Sequence, residues 1–240
     1  MNLSETSGPR PLKGFTVAIV GADGSGKSTV ARRLMEMSPA VFKYMYMGAS
    51  IDRSNISLPT SRLLTHLKRK RVAPLIEDTA ALPPAALMSD EMKERVPRGR
   101  IVKAIGAINR SAEEWYRQLF LWTYQLRGYI VICDRHFLYE YFPNGRSFSS
   151  EHQLLSARIH AFVLRHFYPR PHITVFLDAA AEALYARKPE WSIEHLERQR
   201  IGINEQGKSC PNFIRVDATQ PIDEVVADVA AHITQFRGGP

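Results

Sequence analysis

Cysteine is scarce: the 240-residue chain has two, Cys133 and Cys210. They show no CxxC spacing, and each lies in or beside an apolar segment. This excludes a disulfide scaffold and a thiolate metal site, and both read as buried reduced thiols. Long hydrophobic runs are also missing. No stretch reaches the ~18 unbroken apolar residues that a membrane span needs, and the opening MNLSETSGPRPLKG lacks the apolar centre of a secretory signal. A cytoplasmic protein with no membrane span is expected. The eight histidines include no HExxH or similarly tight ligand spacing, so no zinc is expected; His152, His160 and His166 read as punctuating a helix.

Acidic residues are in deficit, with 24 Asp and Glu against 32 Lys and Arg, for a net charge of +8. Such a balance favours anionic partners, and polyphosphorylated small molecules satisfy it. The densest basic run, LKRKR (67–71), has no interleaved aromatics; a solvated helix face is its simpler reading, and no nucleic-acid partner is expected. Hydrophobic residues at 45% and charged residues at 23% suit one α/β domain spanning 1–240.

Residues 21–28, GADGSGKS, satisfy GxxxxGK[ST] at every fixed position and follow the apolar run FTVAIV (15–20) directly. Gly21, Gly24 and Gly26 let the backbone curl so that successive N–H groups point inward at an anion. Ser25 and Thr29 belong to the same cradle. Lys27 adds a positive charge for the outer phosphates, and Ser28 offers a hydroxyl to a phosphate-bridging Mg²⁺. The helix that begins here, with Val30, Leu34 and Met37 on one face, turns its positive end to the same phosphates.

Beyond the loop, β and α patterns alternate. VFKYMYM (41–47) reads as a strand, followed by a polar stretch and a short helix over 60–71. Residues 72–100 are proline-punctuated with little periodicity, so 48–100 reads as an elaborated excursion, and 1–13 as a disordered tail. A helix is predicted over 101–127, where Trp115, Leu119, Trp122 and Leu126 form an apolar stripe and Gly128 stops it. Strands follow at 129–133, 172–177 and 212–216, with helices at 152–167, on both sides of Pro189 within 181–206, and from Pro221 onward. In that last helix Ile222, Val225, Val226, Val229, Ile233 and Phe236 share a face. Five strands separated by helices imply a parallel sheet with its ligand site at the strand carboxyl ends.

The second informative segment is GYIVICDRHFLYEY (128–141). A carboxylate at the tip of a buried strand, here Asp134, can hold the water shell of Mg²⁺ beside Ser28. The simpler alternative is an Asp134–Arg135 pair that only caps the strand end.

GADGSGKST (21–29) together with GYIVICDRH (128–136) resembles the thymidylate kinase family of nucleoside monophosphate kinases. LDAAAEALYARKPEWSIEHLERQR (177–200) is similar to that family's LID region, and IRVDATQPIDEVVADV (214–229) to its C-terminal strand, adenine-side loop and helix. The resemblance implies a P-loop NTPase fold with a mobile LID (187–200), ATP and Mg²⁺ as donor and cofactor, transfer to dTMP giving dTDP, and a homodimer through the helices near 101–127 and 152–167. It further implies that Asp23 meets the acceptor's sugar hydroxyl, that Arg135 grips the acceptor phosphate, and that Arg187 and the loop containing Asp217 and Thr219 lie near ATP. Gly24 stands where some members carry an arginine, so the charge on the transferring phosphoryl falls to Arg187, Lys188, Arg198 or Arg200.

Two departures mark the acceptor side. His136 replaces the family's usual tyrosine, and the pyrimidine-holding aromatic and arginine have no clear counterpart among Trp115, Arg117 and Arg110. If the polar stretch after the second strand lines an acceptor pocket, Asp52, Arg53 and Arg62 are its expected polar contacts; an ordinary charged surface loop is the alternative. The alternatives are a P-loop kinase of a sugar or other small metabolite, a polyphosphate-dependent nucleotide kinase suggested by EEWYRQLF (113–120), and a non-catalytic nucleotide-binding switch.

Overall fold

The structure, a computed structural model, describes residues 14–48, 50, 54–63, 66, 100–141, 155–208 and 210–238. Asp52, Arg53, His152, the LKRKR run, the tail at 1–13 and most of the 48–100 excursion lie outside the described residues.

Five strands form one sheet: β1 (Thr16–Val20), β2 (Phe42–Tyr46), β3 (Ile130–Asp134), β4 (Ile173–Asp178) and β5 (Phe213–Asp217). Their order is β2-β3-β1-β4-β5, and every pairing is parallel. The helices are α1 (Lys27–Met37), α2 (Arg100–Leu126), α3 (Phe137–Tyr141), α4 (Leu155–His166), α5 (Ala181–Arg187), α6 (Ile193–Gly207) and α7 (Ile222–Gly238). An α/β chain with a five-stranded parallel sheet flanked by helices is what the alternation of apolar runs implies.

β1, β3 and β4 are buried along their whole length, as expected for interior strands with helices on both faces. Alternate residues feed two cores. Val17, Ile19, Ile132 and Val175 pack with Val30 and Leu34 of α1 and with Val225, Val229 and Ile233 of α7. Ala18, Val20, Val131, Cys133 and Phe176 pack instead with Leu121 of α2, Leu164 of α4 and Ile203 of α6. Among the described residues both cysteines are free thiols.

Three expectations shift in detail. Met37 is 59% exposed, because α1 ends there and its last turn clears the core. Phe236 sits at the rim of the α7 face and meets the Phe15 ring at 5.1 Å. The apolar stripe of α2 lies mostly at the surface, with Leu119 53% and Leu126 88% exposed. The buried face of α2 carries Glu113, Glu114, Arg117, Gln118 and Leu121. Polar groups can occupy that face because they are paired: Arg117 bonds Glu113 at 2.9 Å and His160 Nε2 donates to Glu114 at 2.8 Å. The α2 helix stops where expected, at Gly128 (φ 83°), whose N–H donates to the Gln125 carbonyl at 2.9 Å.

The register sets Ile19 beside Asp134, Tyr46 beside Asp134 and Asp178 beside Asp217. Three carboxylates therefore share the carboxyl edge of the sheet with the loop that leaves β1.

Candidate functional site

The loop after β1 turns through Gly24 (φ 89°) and Gly26 (φ 88°), a left-handed backbone that favours glycine. Gly26 caps α1 with no side-chain hydrogen bond, so no cap side chain occupies the N–H groups of the first helical turn, the groups that bind anions. The loop is tightly enclosed. A Cβ on Gly21 would lie 2.5 Å from Ser25 Oγ and 2.7 Å from the Leu177 carbonyl, and one on Gly24 would lie 2.9 Å from the Leu184 carbonyl of α5. Lys27 is buried, and its Nζ donates to the carbonyls of Gly21 at 3.0 Å and Ala22 at 2.7 Å. Ser28 and Thr29 are exposed in the first turn.

Asp23 ties this loop to its surroundings. Arg135 Nη2 donates to its carboxylate at 2.8 Å, Lys27 Nζ lies 3.9 Å away, and its backbone N–H donates to Gln199 Oε1 of α6 at 3.3 Å. Burial alone would raise the Asp23 pKa, but Lys27 and Arg135 outweigh it and hold the carboxyl below its ordinary value. Arg135 adopts φ 71°, uncommon for a non-glycine residue. Its N–H bonds the Ile19 carbonyl at 3.1 Å, which fixes β3's exit against β1.

Asp134 is buried at the end of β3. Tyr44 donates its hydroxyl to Oδ2 at 2.9 Å, while Oδ1 is buried without a hydrogen-bond partner. Burial, then the Asp134 charge, pushes the Tyr44 phenol upward, so it stays a proton donor. A buried carboxylate oxygen with no protein donor fits a cation or its water shell. Among the described residues no group of three or more His, Cys, Asp or Glu side chains could hold a metal. One carboxylate with a serine hydroxyl suits Mg²⁺, whose remaining ligands come from substrate phosphates and water.

His136 is buried beside Tyr139 and Tyr168, and burial lowers its pKa to about 4. The folded protein keeps this ring neutral where the unfolded chain would charge it. Its contribution to stability is therefore full above pH ~6.5 and is lost as pH falls towards about 4. Urea unfolding at pH 7 and pH 4.5 is expected to show this loss. His136→Gln should flatten that part of the slope, and an unchanged slope would contradict it.

The remaining candidates separate. Arg117 is fully buried: its Nε and Nη2 donate to Glu113 at 3.0 and 2.9 Å and its Nη1 to the Gly48 carbonyl at 2.7 Å. Glu113 Oε2 in turn accepts from the Leu58 N–H at 2.8 Å. One ion pair thus anchors both ends of the 48–58 loop, and Arg117 is placed to hold that loop. Arg62 is exposed and donates to Ser57 Oγ at 2.7 Å.

Arg187 donates to the Ala218 carbonyl at 2.8 Å, which ties α5 to the loop after β5. There Asp217 accepts from the Thr219 N–H at 2.8 Å and hydroxyl at 2.6 Å, bonds that hold its carboxyl below the ordinary range. Arg198 is exposed and, among the described residues, its side chain reaches the Glu194 carbonyl at 3.3 Å. Arg200 is bound to Asp178 at 2.6 Å and to Glu197 at 2.8 Å.

No protein-family model matches the chain. The fold and site therefore stand on their own geometry. Sequence reasoning missed Tyr44, Glu113, Asp178 and Gln199. The Glu113–Arg117 spacing of four is a visible helical pairing signal, and Asp178 ends its apolar strand as Asp134 does. Nothing local marks Tyr44 or Gln199, because their partners lie 90 and 176 residues away.

Proposed function

We propose that this protein is an ATP- and Mg²⁺-dependent kinase acting on a nucleoside monophosphate, with dTMP the first acceptor to test. The observation that carries the reading is the conjunction at the carboxyl edge: a GADGSGKS loop running into α1, beside a buried Asp134 with one oxygen held by Tyr44 and the other unpartnered. The central position of β1 in the order β2-β3-β1-β4-β5 supports a P-loop NTPase fold, with the ligand crevice where connections from neighbouring strands diverge.

In this reading the loop amides and Lys27 hold the donor phosphates, and Ser28 and Asp134 would hold the cation, which would neutralise charge on the phosphates. Arg135 orients the acceptor phosphate from its perch on Asp23. An acceptor phosphate oxygen attacks the γ-phosphorus as the bond to the β,γ-bridging oxygen breaks, and that bond's electron pair leaves with ADP. Such an acceptor needs no strong base, which suits Asp23, whose lowered pKa makes it a hydrogen-bond acceptor more than a proton acceptor.

ADP release measured across nucleoside monophosphates, phosphosugars and polyphosphate tests this. Turnover of dTMP or another monophosphate supports the proposal. ATP bound normally with no monophosphate turned over defeats the acceptor, and turnover of a phosphosugar replaces it.

The proposal includes a homodimer. Ile108, Leu119 and Leu126 on α2 and Ile159 and Phe162 on α4 are all more than half exposed, and the two helices pack together. Leu119→Glu with Phe162→Glu is expected to halve the mass seen in sedimentation. A wild-type protein that already sediments as a monomer rules the dimer out. No helix among the described residues is long and apolar enough to cross a membrane.

A further inference from the structure

We infer that Tyr44 is a positioning residue for the cation: by holding Oδ2 of Asp134 from the β2 side, it leaves Oδ1 as the one carboxylate oxygen for Mg²⁺. This rests on the kinase reading and adds a residue that nothing local in the sequence marks.

The sheet register places the groups. Tyr44 pairs with Ile132 and Tyr46 with Asp134. Paired residues share a face, as do alternate residues along a strand, so Tyr44, Ile132 and Asp134 belong to one side of the sheet. That side is the one covered by α1, because Ile132 packs with Val30 and Leu34 and Tyr44 packs against the same cluster. Ser28 lies in the first turn of α1. In the order β2-β3-β1, the phosphate loop leaves from one neighbour of β3 and Tyr44 comes from the other. The phenol therefore reaches Asp134 from the flank opposite β1.

The Tyr44 hydroxyl donates to Oδ2 at 2.9 Å. Asp134 is buried, and among the described residues its Oδ1 has no hydrogen-bond partner. The terminal torsion of an aspartate is broad and roughly two-fold, so without the phenol the two oxygens exchange places readily. With it, Oδ2 is held and Oδ1 stays the open one. Tyr46 is no substitute: its hydroxyl sits beside Gly48, where a Cβ would come within 2.6 Å of it. Ligation through one carboxylate oxygen suits Mg²⁺, which keeps waters and phosphate oxygens in an octahedral shell, whereas the larger Ca²⁺ readily takes both oxygens of one carboxylate.

The test is titration calorimetry of the full chain with a non-hydrolysable ATP analogue at a series of free Mg²⁺ concentrations, and again with Ca²⁺. Tyr44→Phe is expected to raise the free Mg²⁺ needed for half of the metal-dependent tightening by about ten- to a hundred-fold, the usual effect of losing a group that orients a metal ligand. Analogue binding without metal should match wild type. With Ca²⁺ the loss should be smaller, because the released Oδ2 gives the larger ion a second oxygen. Phenylalanine keeps the ring packed on the α1 cluster; Tyr44→Met, which also lacks the donor, repeats the test with different packing. An unchanged Mg²⁺ requirement, equal losses for Mg²⁺ and Ca²⁺, or a loss of the same size without metal overturns the assignment. A wild-type protein whose analogue binding responds to neither metal overturns the kinase reading itself, a result visible before any variant is made.

Discussion

Lys27→Ala is expected to lower phosphoryl transfer by about 10²–10³-fold, the usual effect of removing one preorganised donor from a developing charge. The side chain is buried at the loop's mouth, and its three N–H donors face the Gly21 and Ala22 carbonyls and the Asp23 carboxylate. Those carbonyls keep the ammonium poised over the cradle, so it can transfer to phosphate oxygens without a large rearrangement. Alanine removes the charge and leaves two carbonyls short of a donor, a stability cost of about 1 kcal/mol each. The protein should still fold, because β1 and α1 are held by Val17, Ile19, Val30 and Leu34 in the core. Steady-state kinetics, analogue binding and a thermal melt on the same sample separate the two effects. Activity within a few-fold of wild type would remove Lys27 from the mechanism.

Arg117→Ala is expected to lose about 3–5 kcal/mol of stability, the cost of leaving one member of a buried ion pair without its partner. For a chain of this size, that lowers the melting temperature by on the order of 10 °C. Arg117 and Glu113 are 1% and 4% exposed, and together they fasten the Gly48 carbonyl and the Leu58 N–H. Glu113→Ala should cost a similar amount. The double variant should cost less than the sum, because both single changes break the same contact. Urea unfolding checks this. Were Arg117 a direct acceptor contact, its loss would raise the acceptor KM and spare stability, so a stability change below about 1 kcal/mol would contradict the anchoring role.

Much of the fold was legible because strands buried on both faces write themselves as unbroken apolar runs. IVIC and ITVFL each stop at an aspartate, and Asp134 and Asp178 do mark the sheet's carboxyl edge. The turn of the GADGSGKS loop was legible for a similar reason: Gly24 and Gly26 are required by local backbone angles, which depend on adjacent residues. The face that α2 buries was not legible. Apolar periodicity singles out Trp115, Leu119, Trp122 and Leu126, but the interior took Glu113, Glu114 and Arg117, whose burial depends on partners such as His160 and Gly48 far along the chain.

The same division runs through the site. Sequence alone determined the cradle, Lys27, and a carboxylate followed by an arginine at a strand end, since each is a short motif with its own local mechanics. Only the tertiary structure decided which oxygen of Asp134 is left without a partner, that Arg117 fastens Gly48, and that Arg200 is committed to Asp178. A side chain's availability depends on what else competes for it, and those competitors are brought together by the packing of the sheet and its helices.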